Sequence, residues 1–282
     1  MNSPFDTWLS VNLGAIALAI VWAAVWCVPA LVRRRNDIAD VAWGLFPPFL
    51  ALVLGGATVA PDWEHLPRAA LVLVLVIAWG VRLALHIGRR VASHDEEDKR
   101  YAAFRTRFGR HWVAKSIGVI FVPQALLGVV ITQPVLIAVT VHRGDSRLCW
   151  LDAIATVLVL GGTLLEAIAD RQLRRFLARR AAGTEQRRYL TSGVWSWSRH
   201  PNYAGDAITW FGFGLFGIAG ACDAGEPWLS IPAVLGPVVM AYFLRFGSGV
   251  PMTERGRAGH PEWDAYVERT SPFFPRPPRR RD

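Results

Sequence analysis

Seven apolar runs, separated by shorter polar segments, restrict what this chain can fold into more than any other feature of its sequence. The runs cover about residues 8–32, 39–60, 68–87, 116–141, 150–169, 203–222 and 228–250. Each run approaches the roughly 20 residues that a helix needs to cross the hydrocarbon core of a bilayer. Because 52% of the residues are hydrophobic, we predict an all-α polytopic membrane helix bundle of about seven transmembrane helices, forming a single domain over residues 1–282.

The distribution of positive charge predicts the orientation of these helices. Most of the 31 Lys and Arg residues fall in four segments, which are 33–35, 89–115, 171–199 and the tail from residue 255 onwards. The alternate loops contain only Arg68, Arg143 and Arg147. This alternation is the positive-inside pattern, and it predicts an N-terminus outside and a C-terminus in the cytoplasm. We therefore expect an integral membrane protein, of the bacterial inner membrane type, whose basic loops are cytoplasmic.

A strongly basic composition also occurs in proteins that bind nucleic acid. The net charge of +9 and the isoelectric point near 10.3 would in that case form a basic patch on a soluble module. Here the charge lies between apolar runs instead. We therefore expect no nucleic-acid partner, and we assign the basic residues to topology and to contacts with membrane lipid.

Two kinds of binding site are not predicted. Cys27, Cys149 and Cys222 share no metal-ligand spacing, so we expect no metal site. A G-x-G-x-x-G segment following a strand is also absent from the sequence. A nucleotide that binds this chain would therefore be held by an arrangement other than the Rossmann one.

Two polar residues inside the apolar runs are candidates for catalysis. Asp40 lies one turn inside the second run, where an ionised carboxylate is costly unless it faces a cavity or a basic partner. His86 shares one helical stripe with Arg82 and Arg89, and histidine titrates near neutrality, which suits a proton donor. Two non-catalytic alternatives stay open. Asp40 is also favourable at a helix N-terminus because of the helix dipole, and His86 is also compatible with a packed, hydrogen-bonded position in the core.

The polar extension of the fifth run predicts a contact with a nucleotide. Asp170 lies four residues after Glu166, and basic residues including Arg174 follow it. Such an extension can bring a carboxylate to a ribose and an arginine to a phosphate, so Asp170 and Arg174 are candidate cofactor contacts. Basic residues where a helix leaves the membrane are also ordinary topology signals, and that alternative stays open.

Residues 191–206, TSGVWSWSRHPNYAGD, concentrate polar groups just ahead of the sixth run. Pro suits the first turn of a helix, so the sixth helix is predicted to begin at His200 or Pro201. A phosphate at such a terminus gains from free backbone N–H groups and from the helix dipole. The segment is therefore a candidate anion site.

Helical spacing places several polar side chains of this segment near one face. They are Arg199, Asn202, Tyr203 and Asp206. Arginine adds bidentate contacts to phosphate, and Asn and Asp suit a ribose or a carboxamide. An aromatic belt with a helix cap would explain Trp195 and Trp197, but it would leave a carboxylate inside the membrane unexplained.

Long stretches of the chain resemble one membrane family. They are GVWSWSRHPNYAGD at 193–206, SGVPMTERGRAGHPEWDAYVERTSPFFPRPP at 248–278, EAIADRQLRRF at 166–176, EEDKRYAAFRTRFG at 96–109 and NDIADVAWGL at 36–45. The chain resembles the family that joins the steroid 5-alpha-reductase C-terminal domain with bacterial membrane relatives. Sterol reductases share the Arg-His-Pro-Asn-Tyr segment with its following Gly and Asp. The resemblance covers nearly the whole chain.

The resemblance implies an NADPH-dependent membrane reductase that transfers hydride to a carbon–carbon double bond conjugated to a carbonyl. It implies a cofactor-binding half over about residues 150–275 and a basic, Pro-rich and Arg-rich tail over residues 272–282. The implied cofactor-binding residues are Asp170, Arg199, His200, Asn202, Tyr203, Asp206, Glu254 and Tyr266.

The implied catalytic site differs from that of the steroid enzymes. In steroid reductases a Glu and a Tyr hold the substrate carbonyl, and Asp40 and His86 are the counterparts that we assign here. Because these residue types differ, the predicted substrate is a lipophilic enone, either steroid-like or of another kind. The sequence predicts no oligomeric state.

Two other functions stay open. Isoprenylcysteine and phospholipid methyltransferases share an Arg-His-Pro-x-Tyr segment and a Glu near the C-terminus, but they bind S-adenosylmethionine. Asn202 together with Asp206, and the SGVPMTE tail segment, favour the reductase. The other alternative is a non-catalytic transport or lipid-binding protein. Transporters commonly contain an inverted repeat or paired broken helices, and neither is evident in the sequence.

Overall fold

The computed structural model describes residues 3–59, 66–93, 95–142 and 147–278 of the chain. Within these ranges the chain is helical and contains no β-strand, although one isolated bridge joins Ser198 to Ser271. The all-α prediction is therefore confirmed. Ala60 at the predicted end of the second run, Arg143 and the last four residues of the predicted basic tail lie outside the described residues.

The described α-helices are numbered in chain order. They are α1 (Pro4–Arg33), α2 (Ile38–Val59), α3 (Pro67–Ala92), α4 (Lys99–Phe108), α5 (Trp112–Ser116), α6 (Val122–Thr140), α7 (Trp150–Ala181), α8 (Pro201–Asp223), α9 (Ser230–Phe246), α10 (Val250–Glu254) and α11 (Pro261–Arg269). A 3₁₀ turn and a π-helix join α4, α5 and α6 into one continuous segment, Lys99–Thr140. Pro201 is the first residue of α8, as the sequence predicts.

Seven helical segments of the described chain are long and apolar enough to cross a membrane. They correspond to the seven predicted runs, which confirms the expectation of an integral membrane protein. The largest difference between a predicted run and its helix is at the end of α7. The apolar run ends at residue 169, whereas the helix continues to Ala181. Residues 170–181 contain neither Gly nor Pro and are rich in Arg, Leu and Ala, so helix propensity carries the helix beyond its apolar part. Gly183, with φ of 73°, follows its end.

The chain forms two compact units. The first contains Met1–Ala153 and Gly214–Gly236, and the second contains Ile154–Phe213 and Pro237–Asp282. That residues 1–282 make a single membrane domain stays a prediction.

In the first unit α2 packs on α3 and α6, and α1 packs on α2 and α6. Fully buried side chains such as Phe46, Leu50 and Leu136 fill the space between these helices. A buried arginine, Arg68, ties the start of α3 to two other elements of the unit. Its guanidinium lies 2.8 Å from Asp152 and 2.9 Å from Asp223. These carboxylates supply the partners that a charge at 3% exposure requires.

In the second unit α7 and α8 approach closely at glycines. A Cβ atom on Gly162 would lie 2.5 Å from the carbonyl oxygen of Gly205, which is closer than side chains tolerate. The glycines of α8 therefore serve helix packing. This crossing sets the first turns of α8 beside the polar end of α7, where Asp170 lies.

Candidate functional site

Residues 193–200 are held by the C-terminal segment of the second unit. After a 3₁₀ turn at Gly193–Ser196, the backbone N–H of Arg199 donates to the carbonyl of Ser271 over 2.8 Å. The hydroxyl of Ser198 donates to the carbonyl of Phe273. These bonds fix the chain just before α8, so the side chains that follow have defined positions.

Glu254, the last residue of α10, joins Arg199 and His200. The Nε of Arg199 donates to Glu254 Oε1 over 2.9 Å, and His200 Nε2 lies 2.9 Å from the same oxygen. Arg199 Nη1 also donates to the carbonyls of Thr270, over 2.9 Å, and Val267, over 3.3 Å. Most donors of this buried guanidinium are therefore used inside the chain, and Arg199 orders the tail.

Burial lowers the pKa of His200 below the ordinary histidine value of 6.5, although the hydrogen bond and the charge of Glu254 oppose this effect. The nearby positive charges of Arg199 and Arg257 add to the lowering. The ring of Tyr203 stacks on the imidazole, with centroids 5.3 Å apart and an interplanar angle of 6°. His200 is therefore a neutral, oriented ring that donates from Nε2 to the Glu254 carboxylate at neutral pH.

Tyr266 of α11 anchors the same region. Its buried hydroxyl donates to the carbonyl of Trp195 over 2.5 Å, and it lies 3.3 Å from the carbonyl of Ser198. Burial raises the pKa of this phenol above its usual value, and the charge of Glu254 also raises it while that of Arg199 opposes it. Tyr266 therefore stays protonated and holds the turn before α8.

A second group of polar residues lies where α7 meets α8. Asn202 Nδ2 donates to Asp170 Oδ1 over 3.4 Å. Asp206 is one turn further along α8, and Asp170, Asp206 and Glu166 are all buried. Asn202 Oδ1 is also buried, and it accepts no hydrogen bond within the described part of the chain. Buried carboxylates and an amide acceptor of this kind suit the hydroxyl and amide donors of a ligand.

The predicted catalytic residues lie in the first unit, in α2 and α3. Asp40 Oδ1 accepts a hydrogen bond from the Tyr101 hydroxyl over 2.6 Å, and Asp40 Oδ2 lies 3.1 Å from Arg100. The basic partner expected for this carboxylate is therefore present. His86 is half-buried within α3.

The structure brings together most of the predicted cofactor residues of the second unit in two groups. One group contains Arg199, His200, Tyr203, Glu254 and Tyr266, and the other contains Asp170 and Asn202, with the buried Asp206 one turn further along α8. Arg174 is exposed on the polar end of α7. Among the described residues, no group of three or more His, Cys, Asp or Glu side chains has metal-binding geometry.

Three contacts of these groups are not predicted from the sequence. The spacing of Tyr101 indicates only an amphipathic surface helix, yet its hydroxyl binds Asp40. Glu166 is buried beside Gly205, and its spacing from Asp170 is the available signal. Arg257 contacts the rings of both Tyr189 and Trp263, and Tyr189 is distant from it in sequence, so no local pattern predicts that contact.

Comparisons with known proteins find similarity over most of the chain. The chain is 25% identical over 287 residues to an uncharacterised protein of Schizosaccharomyces pombe, which covers 94% of this chain and 79% of that relative. No solved structure matches the chain. A family model described as "Protein of unknown function (DUF1295)" matches residues 25–270. Since that match spans most of the sequence, the chain belongs to this family of proteins of unknown function.

Proposed function

We propose that this protein is an NADPH-dependent membrane reductase that transfers hydride to a carbon–carbon double bond of a lipophilic enone. The observation that carries the proposal is Asn202 Oδ1, a buried acceptor at the start of α8 without a hydrogen-bond partner among the described residues. A buried polar atom of this kind costs free energy unless a ligand or water completes it. The association of the DUF1295 family with steroid 5-alpha-reductase-like proteins also supports it.

The residues of the second unit fit the polar groups of NADPH. Asn202 offers an acceptor and a donor for a carboxamide or a ribose hydroxyl, and the carboxylates of Asp170 and Asp206 accept from hydroxyls. Neutral His200 and its stacked partner Tyr203 supply a flat surface in the first turn of α8. Glu254 holds His200 in the tautomer that leaves Nδ1 without a proton.

The bound cofactor would supply the hydride for the β carbon of the enone. The chain must then hold a proton donor at the carbonyl oxygen of the substrate, and we assign this task to His86. The hydroxyl of Tyr101 donates to Asp40 and thereby orients that carboxylate. Arg100 lies 3.1 Å from Asp40 and is the basic partner of that carboxylate.

Ligand-dependent thermal unfolding of the detergent-solubilised protein tests the proposal. At a concentration about 100 times its Kd, a ligand that binds only the folded state adds about 2.7 kcal/mol of stability. We expect NADPH to raise the melting temperature and S-adenosylmethionine to leave it unchanged. A rise with S-adenosylmethionine alone would identify the methyltransferase alternative. The absence of a saturable shift with either compound would favour the transport or lipid-binding protein.

A variant separates the proposed site from other surfaces. Asn202→Ala removes the buried acceptor, and we expect it to weaken NADPH binding about 10-fold, since a hydrogen bond in such a site contributes about 1 kcal/mol or more. Gln186→Ala is the matched control, because it removes an exposed amide of the same unit. Equal NADPH affinities of the two variants would contradict the assignment of the site.

A further inference from the structure

Two aromatic rings hold the guanidinium of Arg257, in the turn between α10 and α11. Its Cζ lies 4.9 Å from the ring centroid of Trp263 and 5.8 Å from that of Tyr189. The two rings are themselves in contact, with centroids 5.1 Å apart. A planar cation held in this way is oriented before any ligand arrives, so binding through it costs less conformational entropy.

The charge of Arg257 is not neutralised by a carboxylate in the described ranges, where its side chain makes neither an ion pair nor a hydrogen bond. The acidic groups around this turn are engaged elsewhere. Glu254 binds Arg199 and His200, Asp264 accepts from the backbone N–H of Gly259, and Glu262 accepts from that of Arg188. The fork of N–H donors on Arg257 is therefore available to an anion.

Arg199 provides a contrast within the same cluster. Its Cζ also faces Trp263, at 6.0 Å from the ring centroid, but its donors bind Glu254 and two backbone carbonyls. Of these two cations, Arg257 is the one whose guanidinium can take a new partner. A second observation in the same turn points to a ligand, because His260 Nδ1 is buried and makes no hydrogen bond to any described residue.

We propose that Arg257 binds a phosphate group of the cofactor, a role that the sequence pattern suggests for Arg199. This inference rests on the proposed function. The guanidinium matches phosphate oxygens in a bidentate manner, and the flanking rings exclude water from one side of the contact. Arg257 also lies close enough to His200 to lower its pKa, which places the cation near the first turn of α8.

Titration of nucleotides against purified variants tests this role without measuring activity. Arg257→Gln removes the charge and the fork, and we expect it to weaken binding of NADPH and of adenosine 2′,5′-bisphosphate by about 10- to 100-fold. Arg257→Lys keeps the charge without the fork, so a smaller loss is expected. Arg255→Gln is the matched control, because Arg255 is exposed two residues away. It should change the affinity by less than about twofold.

The outcomes separate the two proposals. If the wild-type protein binds neither NADPH nor adenosine 2′,5′-bisphosphate, the proposed function itself fails. If the wild-type protein binds them and Arg257→Gln binds them equally well, only the role of Arg257 fails. A lipid phosphate is the competing source, and it is tested by titrating phosphatidylglycerol into the detergent-solubilised protein and measuring the melting temperature. A stabilisation by phosphatidylglycerol that is lost in Arg257→Gln, with unchanged NADPH affinity, would assign the cation to lipid and overturn the inference.

Discussion

Glu254 is the residue on which the ordered tail of the second unit depends. One carboxylate oxygen lies 2.9 Å from both Arg199 Nε and His200 Nε2, so a single side chain fixes two residues of the Arg-His-Pro-Asn-Tyr segment. When one partner of a buried ion pair is removed, the loss of folding stability exceeds the net contribution of the pair, because the remaining charge is buried without compensation. The segment therefore combines residues that order the tail with residues that we propose to contact a ligand, although all of them belong to one sequence motif.

The protonation of His200 predicts how stability depends on pH. Because burial lowers the pKa of His200 in the folded protein, the unfolded chain binds a proton at mildly acidic pH that the folded protein does not. The stabilising contribution is complete above the ordinary histidine pKa of 6.5, which applies to the unfolded chain, and is lost as the pH falls towards the lowered pKa of the folded protein. We expect the melting temperature of the wild-type protein to fall between about pH 7.5 and pH 5.5, and to fall less in His200→Gln.

This prediction has a direct control. Gln at position 200 keeps an N–H donor for Glu254, so the variant removes the titration while retaining a hydrogen bond. His111→Gln changes an exposed histidine and should leave the pH dependence as it is in the wild-type protein. If His200→Gln and the wild-type protein lose stability in parallel on acidification, His200 is not the group that titrates.

Among the helices, the crossing of α7 and α8 positions the polar groups of the second unit. The backbones meet at Gly162 and Gly205, and this contact brings Asn202 to within hydrogen-bond distance of Asp170. A side chain at the crossing would separate the helices, since the nearest atoms to an added Cβ belong largely to the backbone of the partner helix and cannot rotate away. The site therefore depends on residues that would not touch a ligand.

Substitution at the crossing is expected to affect stability and ligand binding together. Gly162→Val places methyl groups against Gly205 and Thr209, and such overpacking typically costs about 1–3 kcal/mol. Gly161→Val is the matched control, because it changes helix propensity equally and no atom lies within 4 Å of an added Cβ at that position. Thermal unfolding in detergent should show a lower melting temperature for Gly162→Val only. An equal effect of both substitutions would show that helix propensity, and not the close crossing, determines the result.

The helices were predictable from the sequence and their contacts were not. Runs of about 20 apolar residues define transmembrane helices without knowledge of the partners, and Pro201 marks the start of α8. In contrast, the ion pair of Glu254 with Arg199 and the packing of Arg257 on Tyr189 join residues that are distant in sequence. No local periodicity encodes such pairs. The polar groups of the site are therefore predictable as a set, while their division into structural and ligand-facing roles requires coordinates.

At the scale of the whole molecule, an odd number of candidate spans, seven in the described chain, predicts termini on opposite sides of the membrane. The basic segments follow α1, α3, α7 and α9, whereas the ends of α2, α6 and α8 carry little positive charge. The positive-inside rule then predicts that Glu254, Arg257 and the start of α8 lie on the cytoplasmic side. Such an orientation would give the proposed site access to cytoplasmic NADPH.

Thiol labelling of sealed spheroplasts tests this orientation with cysteines that the chain already contains. Cys149 and Cys222 are exposed and lie at ends of α7 and α8 that are predicted to be outside, while Cys27 is buried in α1. We expect a membrane-impermeant maleimide to label the wild-type protein without permeabilisation. In a background of Cys149→Ser with Cys222→Ser, Gln186→Cys should react only after the membrane is opened, because residue 186 lies in the basic loop after α7. Labelling of Gln186→Cys in sealed spheroplasts, together with protection of the native cysteines, would reverse the topology and place the proposed nucleotide site on the side without cytoplasmic NADPH.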